Sequence, residues 1–307
     1  MNKLYVSLGL VLLITSIAIH TALVRSNGQV SVLLVVDDDG AKPSETVEKE
    51  NGEILSVPDE MSVDVTPYHD AFSQPAMSGY TLTEWHTSTS GSPSLTDLQN
   101  YDVVIWATGN EYVAINNAEA QTLADYYNNG YGDLILEGGE IFWDHQCDVG
   151  DPLACAVGVY DWDHDSTSYD NQLLAWDPSH PLFNTPNTMT FPITGTWNDQ
   201  YTKGDGFNLV TTDPNAHGIA YWGGGSPSSD KGPDLAISVH ENPTYGNRAV
   251  CVGAAISGTW DDPVPFIINM LYWVEPVQPP GPVPEMPISM VTVAVGVLLI
   301  LVSLKVH

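Results

Sequence analysis

Basic residues are scarce in this chain: 8 Lys and Arg stand against 38 Asp and Glu over 307 residues, for a formal net charge of −30. So little positive charge could not neutralise a phosphate backbone, which excludes nucleic acid as a partner. Charge of either sign is also sparse, at 15% of residues, so the chain is not a solvating polyanion. Cysteine is limited to Cys147, Cys155 and Cys251, none at the Cys-x-x-Cys spacing of a zinc site. No Asn-x-Ser/Thr glycosylation acceptor is present, because Asn242-Pro243-Thr244 carries the excluded proline. There is no internal repeat.

What is present is enough for a folded domain. Hydrophobic residues make up 43% of the chain, which at this length can bury a sizeable core. Long apolar runs occur at the two ends. Residues 4–19 follow Lys3 and precede Arg25, so 1–28 reads as a signal peptide or signal anchor. Residues 288–304 form a second run, about the minimum for crossing a bilayer, behind the Pro-rich spacer 276–287. This layout predicts a protein held to the cell membrane by its terminal helices, with the domain on the extracellular face. Pro284-Glu285-Met286-Pro287 followed by the apolar run resembles the PEF-type C-terminal sorting signals of archaeal surface proteins.

Between the ends, residues 30–280 hold 37 acids against Lys42, Lys49, Lys203, Lys231 and Arg248. Such a surface attracts cations and promotes solubility. An odd cysteine count in an oxidising compartment implies one pair and one buried thiol. Cys147 and Cys155 enclose a short loop and are the candidate disulfide. Cys251 lies in the apolar run Ala249-Val250-Cys251-Val252 and is assigned to the core.

The order of patterns predicts α/β architecture. Val30–Val36, Val103–Ala107 and Leu134–Leu136 are continuous apolar runs, as in strands covered on both faces. Tyr80–His86 and Arg248–Ile256 are further strands. Pro67–Ser78, Asn117–Asn129 and Pro263–Val274 are predicted helices, the second with Ala118, Leu123, Ala124 and Tyr127 on one face and Asn129-Gly130 as its stop. Strand–helix alternation with short turns means parallel βαβ units. Residues 145–245, rich in Asp, Asn, Gly, Pro and Trp, read as an irregular, partly β insertion, with candidate strands at Phe207–Thr211, Gly218–Trp222 and Leu235–Val239.

Four stretches together, VLLVVDDDG at 32–40, PSLTDLQNYDVVIWATGN at 93–110, NNGYGDLILEGGEIFWD at 128–144 and GNRAVCVGAAISGTWDDPVPFIINMLYWV at 246–274, resemble the type 1 glutamine amidotransferase-like domains of secreted bacterial and archaeal proteins. The resemblance spans about 30–275. It implies a flavodoxin-like open parallel sheet with helices on both faces. Amidotransferase chemistry needs a cysteine on a sharp strand-to-helix elbow and a histidine activated by an acid. The elbow here reads Glu137-Gly138-Gly139-Glu140, with glycines and no cysteine, and Cys147 lies too far downstream. The fold is therefore expected to be kept and the triad lost.

Ligands of open parallel sheets sit beyond the strands' carboxyl ends. Those ends carry Asp37, Asp38 and Asp39, then Asn110 and Glu111, then Glu137, Glu140 and Asp144. Clustered carboxylates would draw a hard cation such as Ca²⁺ or Mg²⁺, and Asp37, Asp39 and Glu140 are the candidate ligands. A second candidate is Asp161-Trp162-Asp163-His164-Asp165, whose Asp161, Asp163 and Asp165 have the alternation of a calcium loop. The plain alternative is that these acids cap helices and face water. Asp37-Asp38-Asp39 also resembles the opening of haloacid-dehalogenase-type phosphatases. That resemblance implies Asp37 as nucleophile, Asp39 as acid/base, Lys231 against phosphate and Asp261-Asp262 on Mg²⁺, although Ala41 stands at the Thr/Val position. Of nine tryptophans, Trp106, Trp143 and Trp273 fall in regular elements and are assigned to the core. Trp162, Trp176, Trp197, Trp222 and Trp260 fall in loops, where aromatic faces can pack on sugar rings. His145, His164, His180, His217 and His240 show no ligand pattern.

The main expectation is a membrane-anchored extracellular binding or interaction module with a non-catalytic amidotransferase-like domain, stabilised by Ca²⁺ and meeting a cell-envelope protein or glycan. The alternatives are a metal-dependent hydrolase using Asp37 and Asp39, and a structural envelope protein.

Overall fold

In the computed structural model the described residues are 29–38, 46–48, 54–56, 63–109, 115–165, 170–195, 204–256 and 260–276, without the side chains of 46–48, 54–56, 144, 164, 165, 170 and 171. Residues 29–277 fall in one compact unit.

Five parallel strands form one half of the sheet: β1 (Val30–Val36), β4 (Tyr80–His86), β5 (Val103–Gly109), β6 (Asp133–Gly138) and β13 (Arg248–Val252). Their spatial order, β4-β1-β5-β6-β13, is the flavodoxin-like doubly wound arrangement with its switch point between β1 and β5. The fold is thus α/β and flavodoxin-like. A two-stranded ribbon, β2 (Thr46–Glu48) with β3 (Ile54–Ser56), stands apart.

Strand parity explains the two-sided core. Val32, Leu34 and Val36 of β1 join one apolar cluster while Leu33 and Val35 join the other. β5 and β13 divide in the same way, with Trp106 and Cys251 on the second face. Helices α1 (Thr66–Phe72) and α7 (Val264–Val274) cover the first face. Between them in sequence come the short α2 (Thr87–Ser90) and α3 (Leu95–Leu98), then α4 (Asn117–Asn128), α5 (Ile141–Asp144) and α6 (Pro152–Val157). Helices α4 and α6 cover the second face. Helix α4 starts where it does because Asn116 Oδ1 accepts from the amides of Ala118 (2.9 Å) and Glu119 (3.2 Å), and Glu119 accepts from the Asn116 amide (2.8 Å). Its buried Ala120, Leu123, Ala124 and Tyr127 follow helical spacing.

The stretch 145–245 is partly β, and its strands extend the same sheet. They are β7 (Val159–Asp165), β8 (Asp170–Ala175), β9 (Ile193–Thr194), β10 (Asp205–Leu209), β11 (Ala216–Gly223) and β12 (Leu235–Glu241). β12 pairs antiparallel with β13, then β11, β8 and β9 follow, while β10 and β7 branch from β12. The domain therefore has a parallel half and an antiparallel half, joined at β13.

Cys147 and Cys155 form a disulfide, and Cys251 is a buried free thiol. Burial pushes that thiol up to about 12.

The expectation of membrane-spanning helices needs correction. Among the described residues no helix is long and apolar enough to cross a membrane, so anchoring through terminal helices does not stand. The runs 4–19 and 288–304, the spacer 276–287 from residue 277 on and the Pro284–Pro287 motif lie outside the described residues.

Candidate functional site

The switch point is the first place to look, and its described carboxylates, Asp37 and Asp38, are engaged with the fold. Asp37, at the end of β1, accepts from the Trp106 indole N–H (2.7 Å) and the Thr87 hydroxyl (3.1 Å) on separate oxygens. Asp38 accepts from the Ser88 amide (2.8 Å) at the start of α2 and lies 3.3 Å from His86 Nδ1. Burial alone would raise the Asp38 pKa, but the bonds from Ser88, His86 and Thr87 outweigh it and hold it below the usual value. Glu137, at the end of β6, accepts from the Tyr68 hydroxyl (2.8 Å) and the Ile256 amide (2.7 Å). Burial, reinforced by Glu137, drives the Tyr68 phenol well above its ordinary pKa.

These groups diverge because of strand parity. Asp37 continues the Leu33–Val35 face and Glu137 continues the Ile135 face, on opposite sides of the sheet. Asp39, Asn110 and Glu111 lie outside the described residues, as does the Asp144 side chain. Glu140 caps α5 from a non-helical conformation (φ −130°, ψ 8°) and is nearly buried. The segment predicted as a calcium loop is strand β7. Asp161 and Asp163 share a face of it about 6–7 Å apart along the strand, a spacing that spreads ligands instead of wrapping them round one ion. The Asp165 side chain is outside the described set. Among the described residues no group of three or more His, Cys, Asp or Glu is placed to hold a metal ion. The carboxylates present thus fit a bound cation poorly.

The strand-to-helix elbow is formed: β6 ends at Gly138, Gly139 follows, Glu140 caps, and α5 begins at Ile141. Gly138 is required because a Cβ there would run into the Thr108 hydroxyl of β5. The first-turn amides of α5 point at Asp205, whose Oδ2 accepts from Phe142 (2.9 Å) and Trp143 (3.2 Å). Asp205 is fully buried. It is held by its own amide to the Gly253 carbonyl (2.6 Å), and its carbonyl accepts from the Trp222 indole N–H (2.9 Å). An elbow of this shape would otherwise offer free amides to a developing oxyanion; here Asp205 Oδ2 takes them. Sequence reasoning missed Asp205. The signal was the glycine on each side of it, Gly204 and Gly206, which lets a carboxylate approach backbone closely.

A hydroxyl does meet an imidazole, at the opposite edge of the sheet. The Tyr127 hydroxyl lies 2.7 Å from His240 Nδ1, and His240 Nε2 lies 3.0 Å from Asp213 Oδ2. Tyr127 has no exposed surface, and burial raises its phenol far above the ordinary value. Burial likewise lowers His240, so the ring is neutral: it donates from Nε2 to Asp213 and accepts from Tyr127 at Nδ1. This chain of bonds ties α4 to β12 through the buried Tyr127 and His240. His145 is also structural, with Nδ1 2.7 Å from Asp151 and Nε2 2.7 Å from the Ile115 carbonyl.

The described cavity lies beside that edge, on the α7 face of the antiparallel half. It has a volume of about 410 Å³. Its floor is Ile219 and Val239 of β11 and β12, its walls are Trp176 and Trp273, and Asp177, Asp230 and Glu241 stand around it. Trp176 is 40% exposed. Trp143, assigned to the core from sequence, is exposed and packs edge-on to Trp162 at 4.4 Å. Trp222 and Trp260, read as loop residues, are buried, and Trp197 is outside the described residues.

No family model matches the chain. No curated relative matches it either. A solved structure from Thermoplasma acidophilum, named as part of a GMP synthase, is 8% identical, with a TM-score of 0.41, over 79% of this chain and 92% of that one. The fold stands on the strand order and register described above.

Proposed function

We propose that this is a ligand-binding α/β domain in which an amidotransferase-type elbow no longer serves as a reaction centre. One observation carries the reading: the buried Asp205 carboxylate takes the Phe142 and Trp143 amides at the elbow. A side-chain oxygen fixed there occupies the donors that would stabilise the oxyanion of an acyl-transfer step. No thiol supports such a step, since Cys147 and Cys155 are bridged and Cys251 is buried. Asp37, the nucleophile of the hydrolase alternative, has both oxygens in hydrogen bonds to Trp106 and Thr87. We place the domain in an oxidising compartment, which the disulfide supports.

The test is turnover. Wild-type protein, Asp37→Asn and Asp205→Asn are assayed with glutamine and with panels of carboxylic and phosphoric esters, with and without Mg²⁺ or Ca²⁺. The expected result is background hydrolysis in all three. Turnover by the wild type that Asp37→Asn abolishes establishes the hydrolase instead.

A further inference from the structure

We propose that the cavity on the α7 face of the antiparallel half binds a small organic cation, an alkylated ammonium group seated against Trp176. This deepens the binding reading above and rests on it.

The cavity is built by regular structure. His217 and Val239 are cross-strand partners of β11 and β12, and Ile219, at a bulge of β11, and Glu241 line the same cavity. Trp273 comes from the last turn of α7. Trp176 leaves β8 with its amide bonded to the Ile219 carbonyl (2.8 Å), and the Asp177 amide shares that carbonyl at 3.2 Å. The two residues are thereby fixed at the rim. A volume of about 410 Å³ is in the range of small-molecule sites and far exceeds one hydrated metal ion.

The chemistry of the lining selects the sign and shape of the ligand. Asp177, Asp230 and Glu241 line it, and among the described residues no Lys or Arg does. The hydrogen bonds from the Ser179 hydroxyl (2.6 Å) and amide (2.9 Å) hold the Asp177 pKa below its usual value, so this carboxyl is charged. His180 adds no positive charge. Its Nδ1 accepts from the Leu182 amide (3.3 Å), and burial lowers its pKa. His217 is paired with Asp230 at 3.0 Å, and Glu241 with Arg248 at 3.1 Å. An anionic ligand meets the charged Asp177 beside two further carboxylates, and a neutral one brings Asp177 no counter-charge on closing the cavity. An ammonium group supplies it, and its alkyl groups suit Trp176, Ile219 and Val239. The molecule already uses this contact once: the Arg248 guanidinium lies 5.2 Å over the Trp273 ring. Trp176 presents its indole at the rim, with Tyr221 edge-on at 6.4 Å.

Tryptophan fluorescence and calorimetric titration with choline and tetramethylammonium test this. The controls are 3,3-dimethylbutan-1-ol, which is the uncharged carbon isostere of choline, and neutral monosaccharides. Saturable binding of the cations is expected, at least about tenfold tighter than that of the isostere. Trp176→Ala should weaken it by about tenfold, and Asp230→Asn and Glu241→Gln by smaller factors, with affinity falling as salt rises. Circular dichroism and melting of each variant verify folding; Trp176→Phe, which keeps an aromatic face, should retain most of the binding. Equal affinity for the isostere, preference for sugars, or undiminished binding by Trp176→Ala overturns the proposal, as does no saturable binding at tens of millimolar. A failure here leaves the absence of turnover intact. Turnover in the assays above removes the non-catalytic reading and leaves cation binding standing.

Discussion

The carboxyl edge of the parallel half and the cavity of the antiparallel half are both acidic, and they use their acids in opposite ways. At the first, Asp37, Asp38, Glu137 and Asp205 each accept hydrogen bonds from groups of the fold, and three of the four are buried. At the second, Asp230 and the exposed Glu241 pair with His217 and Arg248 around a space of about 410 Å³. The described acids at the place where this topology usually carries chemistry are thus bound into the structure, while the cavity lies in the antiparallel half. Acidic composition does not separate the two cases. What separates them is how many donors already point at each carboxylate.

Substitutions should break the two regions differently. The largest effect is expected from Asp205→Ala, which leaves the buried amides of Phe142 and Trp143 without an acceptor: about 3 kcal/mol of stability, read by denaturant unfolding. Loss below about 1 kcal/mol would mean that the elbow does not depend on its internal acceptor. Trp106→Phe removes the donor to Asp37 and should cost about 2 kcal/mol by the same measurement. Asp133 sharpens the picture at a third acidic place, the start of β6. Burial raises its pKa to about 8, Glu275 nearby adds to this, and the Arg248 amide opposes it. A carboxyl raised in the folded state binds a proton that the unfolded chain has released, so stability should fall as pH rises from about 4 towards 8. The slope is at most about 1.4 kcal/mol per pH unit, and Asp133→Asn should flatten it. A slope unchanged in that variant would assign the proton elsewhere. Trp176→Ala, by contrast, should move stability by less than about 0.5 kcal/mol, because an exposed rim residue supports no core. The smallest expected effect is that of a chelator on the melting temperature, which should be nil, since the acids of the carboxyl edge already have donors. A rise on adding Ca²⁺ would reinstate the cation site predicted from sequence.

Much of the fold was legible because buried parallel strands leave continuous apolar runs. Val30–Val36 and Val103–Gly109 match theirs closely. The antiparallel half was harder. Its strand β10 is short and bulged against β7, with register shifts at Gly206/Phe207 and Asn208/Leu209, so no clean alternation marks it. The Asp161–Asp165 alternation was real, but a strand produces the same period as a string of loop ligands. The divergence of two strand-end carboxylates was hidden for a related reason. A strand buried on both faces has no polar side to reveal which way its last residue points, so Asp37 and Glu137 looked convergent although parity sends them apart. The cavity was not legible at all. Its residues come from β11, β12, α7 and the loops holding Trp176, Asn215 and Asp230, and only folding brings them together.

β13 has a consequence for how the chain is made. It lies between β6 and β12, the strand bridging the two halves, yet it is the last of the described strands to leave the ribosome. Until Val252 emerges, β6 and β12 each present an unsatisfied ladder, and neither half can be completed by local contacts. Folding is therefore held back until nearly the whole domain has been synthesised, with two sticky margins exposed in the meantime. A nascent chain stalled before Arg248 would be a substrate for chaperones, or for aggregation, and the heavy negative charge of this protein is what keeps such chains apart while they wait.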